Sequence, residues 1–215
     1  MGEKFLDKNK MNERDMLEIR RKLFHLFLGL IIAFFVFFTK KSIGSYGYLV
    51  VAPILLVVFL LLLFPKLNVD IKIINLLINN FERPHDREKF PFKGSIFYGL
   101  GVSIPILLLD INVACSIIAV LSAGDAMSTL IGRFYGKIRR GHAYKSFEGL
   151  FAFIIFSFMA ASMFVSWKLA FALAIIGSLL EFFSFFDDNF LVPAGLTAFY
   201  LFYMHFIIPF NLTII

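Results

Sequence analysis

The chain has 215 residues, of which 60% are hydrophobic and 30 are phenylalanine, and its mean hydropathy is +0.84. A soluble domain of this length does not need so much apolar surface, so the composition predicts an all-α, integral membrane protein. The single cysteine, Cys115, excludes an intrachain disulfide and a CxxC metal motif. The net charge of +6 does not require nucleic acid, because basic cytoplasmic loops give the same balance, and we expect no nucleic-acid partner.

The charged residues are bunched into short stretches that separate apolar runs of membrane-spanning length. Residues 1–22 are too polar for the apolar region of a signal peptide, and we expect a cytoplasmic N-terminal segment there. Residues 23–215 are predicted to form a single membrane domain. Its apolar runs predict about seven transmembrane helices, at 23–38, 48–64, 96–109, 113–131, 150–167, 169–183 and 191–209.

The longest polar connection, residues 66–93, carries a helical pattern of its own. Ile71, Ile74 and Ile78 fall on one stripe of a helix, and asparagines and a lysine fall on another. A helix with one apolar and one polar face is typical of the membrane interface. The pattern therefore predicts an interfacial amphipathic helix.

Positive charge predicts the orientation of the chain. With the N-terminus inside, segments 1–22, 66–93, 132–148 and 183–190 hold 7, 6, 5 and 0 Lys or Arg, which makes 18 of the 21. The three others are in outer loops, and such an asymmetry favours a cytoplasmic N-terminus. The C-terminus is then outside, and the three inner loops after residue 65 face the cytoplasm. The membrane would be the plasma membrane of a prokaryote or the endoplasmic reticulum of a eukaryote.

An acid, Asp125, lies inside the end of the fourth apolar run. An unpaired carboxylate there costs roughly 2.5–3.5 kcal/mol on insertion scales, so it should face a wet cavity or a partner. A purely structural ion pair with Arg133 or Lys145 is one interpretation. The other is a Mg²⁺ ligand or a general base. Further acids at Glu181 and in the turn at 187–188 lie on the same predicted face.

The loop after this acid is strongly basic and contains two glycines. Gly132, Gly136 and Lys137 are spaced differently from a Walker A phosphate loop, and the two glycines also fit a helix-packing motif. Arginine and lysine side chains at this density suit phosphate groups, although positive-inside targeting alone would also give a basic loop. Ser146 precedes the next apolar run, where free helix N–H groups add to an anion site.

Taken together, these motifs resemble the polyprenol/diacylglycerol kinase family, which includes dolichol kinase, phytol kinase and a CTP-dependent diacylglycerol kinase. The resemblance extends from about residue 20 to 210. It rests on the segments RKLFHL (21–26), GDA (124–126), GRFYGK (132–137), KSFEG (145–149) and DNFLVP (188–193).

This resemblance implies phosphoryl transfer from a nucleoside triphosphate, usually CTP, to a lipid alcohol in the membrane. We expect a polyprenol such as dolichol, with Mg²⁺ as cofactor. Asp125 is the first candidate for the base that accepts the alcohol proton, and Asp188 is the second. Lys145 would neutralise phosphate charge. The expected metal ligands are Asp125, Glu148 and Asp188, and the expected nucleotide-binding residues are Arg21, His25, Gly132, Arg133, Gly136, Lys137, Lys145, Ser146 and Asn189.

Two alternatives stay open. The Lys145-Ser146-x-Glu148-Gly149 element also occurs in phosphatidate cytidylyltransferase, so the chain could make a CDP-activated lipid instead. A transporter or non-catalytic scaffold is a different class. A transporter should carry polar residues near mid-bilayer, whereas the polar clusters here lie at one face. The oligomeric state is left open.

Overall fold

In a computed structural model, the described residues are 13–43, 48–67, 71–139 and 145–207. Within these ranges the chain forms nine α-helices and no strand. They are α1 (Glu13–Ile43), α2 (Val51–Leu67), α3 (Lys72–Phe81), α4 (Pro84–Lys89), α5 (Lys93–Leu108), α6 (Ile111–Tyr135), α7 (Phe147–Ala161), α8 (Trp167–Phe183) and α9 (Asp188–Phe202), followed by a π-helical turn (Tyr203–Ile207).

Three described helices are long and apolar enough to cross a membrane, namely Glu13–Thr39, Tyr48–Pro65 and Ile111–Tyr135. The all-helical class is thus confirmed for the described residues, and the three long apolar helices are compatible with a membrane protein. The remaining predicted spans correspond to shorter apolar helices, among them Lys93–Leu108 and Phe147–Ala161. Parts of the predicted segments fall outside the described residues, namely 1–12, 140–144 of the basic loop and 208–209 of the last span.

The helix boundaries differ from the predicted spans at two places that matter for the site. Helix α1 begins at Glu13, so part of the predicted N-terminal segment continues the first span as one helix. Glu13 and Asp15 lie in its first turn, where the helix dipole favours acids. Helix α7 ends at Ala161, earlier than the predicted 150–167, because residues 162–166 turn toward α8.

The predicted amphipathic helix is present as α3, which is ten residues long and has no buried residue. Ile74 and Ile78 of the predicted stripe pack partly against the cluster of Val58, Phe92 and Ile96, whereas Ile73 and Leu76 are 68% and 58% exposed. The following loop contains a further short helix, α4, which the sequence pattern did not indicate. Phe92 then begins α5 in the left-handed region, with φ of 63°. Its buried ring packs with Val58 and Ile96, which compensates for this backbone conformation.

Helix α6 is the centre of the molecule. It packs against α1, α5, α7, α8 and α9, and its residues 113–126 are all buried. Small residues let neighbouring helices approach closely. At Gly124, for example, an added Cβ would lie 2.6 Å from the ring of Phe153 on α7. A carboxylate on this helix is therefore placed at the meeting point of several helices.

Candidate active site

Three carboxylates meet at one end of the helical bundle. Asp125 comes from α6, Glu181 from the last turn of α8 and Asp188 from the first turn of α9. One carboxylate oxygen from each lies within 4.8 Å of the others. Helices α8 and α9 are joined by a short turn in which Asp187 caps α9 by accepting a hydrogen bond from the Asn189 N–H at 3.2 Å. This turn lets Glu181 and Asp188 approach Asp125, and we call the three residues the carboxylate cluster. Asp125 and Glu181 are buried, and Asp188 is half-buried.

The buried Asp125 has a cationic partner on α1. Lys22 Nζ donates to Asp125 Oδ2 at 2.5 Å, and both residues are buried. His25 is three residues further along α1, and its Nε2 lies 3.6 Å from the same oxygen. Buried charges are stable only when they are paired, so Lys22 is the group that allows Asp125 to stay ionised. Asp125 thus pairs with Lys22 and not with Arg133 or Lys145, the partners that the sequence suggested. Arg133 pairs instead with Asp15 at 2.7 Å.

Lys145 joins the other two acids of the cluster. Its Nζ donates to Ser184 Oγ at 2.6 Å and to both carboxylate oxygens of Asp188 at 3.2 Å. It also donates to the backbone carbonyl of Glu181 and lies 3.6 Å from Glu181 Oε1. Three carboxylates thus share two ammonium groups, and carboxylate oxygens this close together could also hold an additional cation.

Four buried side-chain atoms of the described residues have no hydrogen-bond partner. They are Arg21 Nε, His25 Nε2, Glu148 Oε2 and Asn189 Oδ1. Arg21, His25 and Asn189 line one and the same cavity, which also reaches Asp125. Buried polar groups normally have partners, so unpaired ones in a cavity indicate a place for a ligand.

This cavity has a volume of about 460 Å³ and two kinds of wall. Its polar end contains Asp125 and Asn189 together with charged residues of α1 and of the α3–α4 region. The rest is apolar and follows α1, α2 and α5. We call it the α1–α2 cavity. Its apolar lining residues are Phe24, Leu28, Ile32, Phe35, Val36, Val50, Pro53, Ile54, Val57, Val58, Leu61, Phe81 and Val102.

The two glycines of the basic loop have a packing role. An added Cβ at Gly136 would lie 2.1 Å from the Gly132 carbonyl and 2.6 Å from Ser146 Oγ. At Gly132 it would lie 3.0 Å from the same Ser146 Oγ. These glycines let the end of α6 lie directly against the start of α7. There Ser146 caps the helix by accepting a hydrogen bond from the Gly149 N–H at 3.1 Å.

Glu148 takes part in this junction and not in the carboxylate cluster. Its Oε1 accepts hydrogen bonds from the backbone N–H groups of Lys137 at 3.0 Å and Ile138 at 3.4 Å. These bonds stabilise the charged form and lower the pKa of Glu148. The Phe147 N–H also donates to the Ile138 carbonyl at 3.1 Å, so both ends of the basic loop are held together. The side chain of Lys137 is exposed.

The predicted site residues therefore divide into two groups. Asp125, Asp188 and Lys145 meet at the cluster, with Arg21, His25 and Asn189 at the cavity beside it. The second group, at the junction of α6 and α7, consists of Gly132, Arg133, Gly136, Lys137, Ser146 and Glu148.

Sequence reasoning did not assign two of the residues at the cluster. Lys22 lies in the RKLFHL segment but is not among the expected site residues, although its spacing of three from His25 puts both on one helix face. Glu181 was noted as a further acid and left out of the metal site. Its signal was the one that identified Asp125, an acid inside the end of an apolar run.

The uncharacterized protein MJ1137 of Methanocaldococcus jannaschii is 32% identical over 184 residues, which are 83% of this chain and 90% of that protein. No protein-family model matches the chain, and no solved structure matches it.

Proposed function

We propose that this chain, which belongs to the same family as the Methanocaldococcus jannaschii protein, is a Mg²⁺-dependent lipid-alcohol kinase that uses CTP. The acceptor would be a polyprenol such as dolichol. One observation carries the proposal. A carboxylate cluster with two lysines reaches, through Asp125 and Lys22, the polar end of an otherwise apolar cavity beside helices of membrane-spanning length. Such a site can bring a water-soluble polyphosphate and a membrane lipid together.

The donor set of the cluster fits a hard divalent cation. Carboxylate oxygens are the ligands that Mg²⁺ uses, usually one or two together with substrate phosphates. Asp125, Glu181 and Asp188 would hold the ion, so Glu181 replaces Glu148 among the expected metal ligands. A magnesium ion bound there would neutralise developing charge on the transferred phosphoryl group.

The cations around the cluster would bind the triphosphate. Lys145 and Lys22 now neutralise the acids, and both could contact phosphate oxygens once a metal ion takes over that task. Arg21 and Asn189 have buried atoms without partners beside them. Within the second group, Arg133 and Lys137 would add positive charge, and Gly132, Gly136 and Ser146 would position the loop. The choice of CTP rests on the family resemblance.

In the reaction, the lipid hydroxyl oxygen would bond to the γ-phosphorus of CTP. The bond from that phosphorus to the bridging oxygen would break, and CDP would leave. The hydroxyl proton must pass to a base, and transfer to a positioned carboxylate is worth about 10²–10⁴-fold in rate. Asp125 is favoured over Asp188 for this role because Asp125 lines the α1–α2 cavity.

The second candidate is synthesis of a CDP-activated lipid. Arg21 and Lys22 line the polar end of the cavity, and their cationic side chains could also bind a lipid phosphate. In that reaction the lipid phosphate would attack the α-phosphorus and pyrophosphate would leave. No base is needed, because the lipid phosphate is already an oxyanion.

A labelling experiment separates the two candidates. Purified protein in detergent–lipid micelles receives Mg²⁺ and CTP labelled at the α- or the γ-phosphate, with a polyprenol, a diacylglycerol or a lipid phosphate. The kinase predicts γ-label in the extracted polyprenol and none from the α-position. Label from the α-position with the lipid phosphate acceptor would establish the second candidate. Label in no lipid would contradict both and favour a transporter or scaffold.

A further inference from the structure

The α1–α2 cavity is long and follows a membrane-spanning helix. On α1 its lining extends from Arg21 to Val36, and fifteen residues of helix at 1.5 Å each correspond to about 22 Å. Its polar end is at Asp125, and its walls become apolar from there toward Val50. A cavity with a polar end and a long apolar body matches an amphiphile, whereas a nucleotide would leave the apolar walls unused.

The cavity is open on the side where α1 and α2 face each other. Phe35 and Val57 line it, yet they are 60% and 55% exposed. Leu28, also in its wall, is 40% exposed. Among the described helices, α2 packs mainly on α5. Because both α1 and α2 are candidate membrane spans, this opening faces the bilayer.

The polar end offers a matched pair of groups for a hydroxyl. His25 Nε2 is buried without a partner and lies 3.6 Å from Asp125 Oδ2. The imidazole ring stands edge-on to Tyr98 at 5.0 Å, and the Tyr98 hydroxyl is 3.2 Å from Ser122 Oγ. Gly29 completes this wall, since a Cβ there would collide with Ser122 Oγ. The ring is therefore held in place while its nitrogen faces the cavity.

We propose that the α1–α2 cavity is the binding site for the apolar chain of the lipid acceptor, which enters sideways from the bilayer between α1 and α2 and places its hydroxyl between His25 Nε2 and Asp125. This inference rests on the proposed function for the identity of the lipid as acceptor. It assigns His25 to the lipid, in contrast to the phosphate contact expected from the sequence. His25 is then a positioning residue that orients the attacking oxygen.

Tryptophan scanning at the opening tests the site. Val57→Trp and Leu28→Trp would fill the cavity, whereas Leu56→Trp and Ile31→Trp put the same ring on neighbouring exposed positions outside it. We expect the two cavity variants to raise the KM for the polyprenol by about tenfold, the change that 1.4 kcal/mol produces. The KM for CTP should not change. The two controls should resemble wild type.

A binding readout keeps this inference separate from the proposed function. A polyprenol carrying a photoactivatable group in its chain is irradiated with the protein in bilayer nanodiscs, and the modified peptides are identified. Adducts on α1 and α2 that are lost in Val57→Trp but kept in Leu56→Trp support the site even if no phosphoryl transfer occurs. Adducts that are unaffected by Val57→Trp would overturn it, even in an active kinase.

His25→Gln tests the polar end. Glutamine keeps a hydrogen-bonding group but places it differently, so kcat/KM for the polyprenol should fall at least about tenfold with the KM for CTP unchanged. The chain adducts should persist, because the apolar part of the cavity is intact. A rise in the KM for CTP alone would assign His25 to the nucleotide and overturn this part of the proposal.

Discussion

Two aspartates of the α6 region lie beside cavities, and their surroundings differ. Asp110 precedes the helix, is exposed, and lines a cavity of about 830 Å³. The described residues of that cavity include no lysine, arginine or histidine. Asp125 is buried near the middle of the helix, with Lys22 at 2.5 Å and two more acids nearby. The larger cavity therefore lacks cationic side chains among its described residues. The candidate site is identified by its charged residues and not by the volume of the cavity.

The largest effect on activity should come from removing the charge of Asp125. Asp125→Asn eliminates the proposed base and a metal ligand, so kcat for transfer to the polyprenol should fall by about 10²–10⁴-fold. Asp110→Asn is the matched control and should keep wild-type activity. The measurement is the initial rate with γ-labelled CTP. An Asp125→Asn protein with more than about a tenth of the wild-type rate would rule out a base at this position.

The ion pair at Asp125 should also be needed for stability. Lys22→Met leaves a buried carboxylate without its cation, and breaking a buried pair in this way costs about 3–5 kcal/mol of unfolding free energy. The double variant Lys22→Met/Asp125→Asn should recover much of that loss, because no charge is left unpaired there. The unfolding free energies of the single and the double variant are measured in detergent micelles.

Lys168→Met, at an exposed lysine in the first turn of α8, is the control for loss of a lysine charge. It should have little effect on unfolding. If the double variant were no more stable than Lys22→Met alone, the lysine would stabilise the protein through something other than Asp125.

A smaller effect distinguishes the two serine N-caps near the two ends of α6. Ser146 accepts a hydrogen bond from the Gly149 N–H, whereas Ser166 begins α8 without a side-chain cap bond. Ser146→Ala should therefore lower the unfolding free energy by about 1 kcal/mol, and Ser166→Ala by much less. Thermal unfolding of the two variants side by side measures the difference. Equal losses would mean that the cap bond of Ser146 adds no stability.

The smallest effect concerns pH. Backbone hydrogen bonds lower the pKa of Glu148 in the native state, so the folded protein keeps this carboxylate charged at a lower pH than the unfolded chain does. Its stabilisation is full above the unfolded pKa and is lost as the pH falls through the native pKa. Wild type should thus melt above Glu148→Gln at neutral pH, and the gap should close in acid.

The control for that titration is Glu88→Gln, an exposed glutamate on α4, which corrects for the loss of one surface carboxylate. A gap between wild type and Glu148→Gln that widened as the pH fell would contradict the sign of the shift.

Much of the site follows from sequence because acids are costly in apolar runs. Asp125 was found on this ground, and the positive-charge asymmetry placed it on the same face as Asp188 and Lys145. The structure brings these three side chains together. Spacing on α1 also indicated that Arg21 and His25 share a helix face, and both line the cavity.

The partners could not be derived, because they depend on tertiary packing. Arg21 binds Glu18 at 2.9 Å while its neighbour Lys22 reaches Asp125, and neither choice is encoded in the local pattern. The family resemblance implied Glu148 as a metal ligand, but its carboxylate accepts hydrogen bonds from the backbone N–H groups of Lys137 and Ile138 instead. The glycine spacing fitted either phosphate binding or packing, and only the position of Ser146 shows the close approach.

The most direct test of the account follows the acceptor oxygen itself. A polyprenol with oxygen-18 in its hydroxyl group is incubated with the protein, Mg²⁺ and CTP, and the lipid product and released nucleotide are analysed by mass spectrometry. A kinase of this kind produces a lipid monophosphate in which oxygen-18 is the bridging atom between carbon and phosphorus. One CDP is released for each molecule of lipid monophosphate. Unchanged polyprenol, or a cytidine-containing lipid with pyrophosphate, would contradict this account.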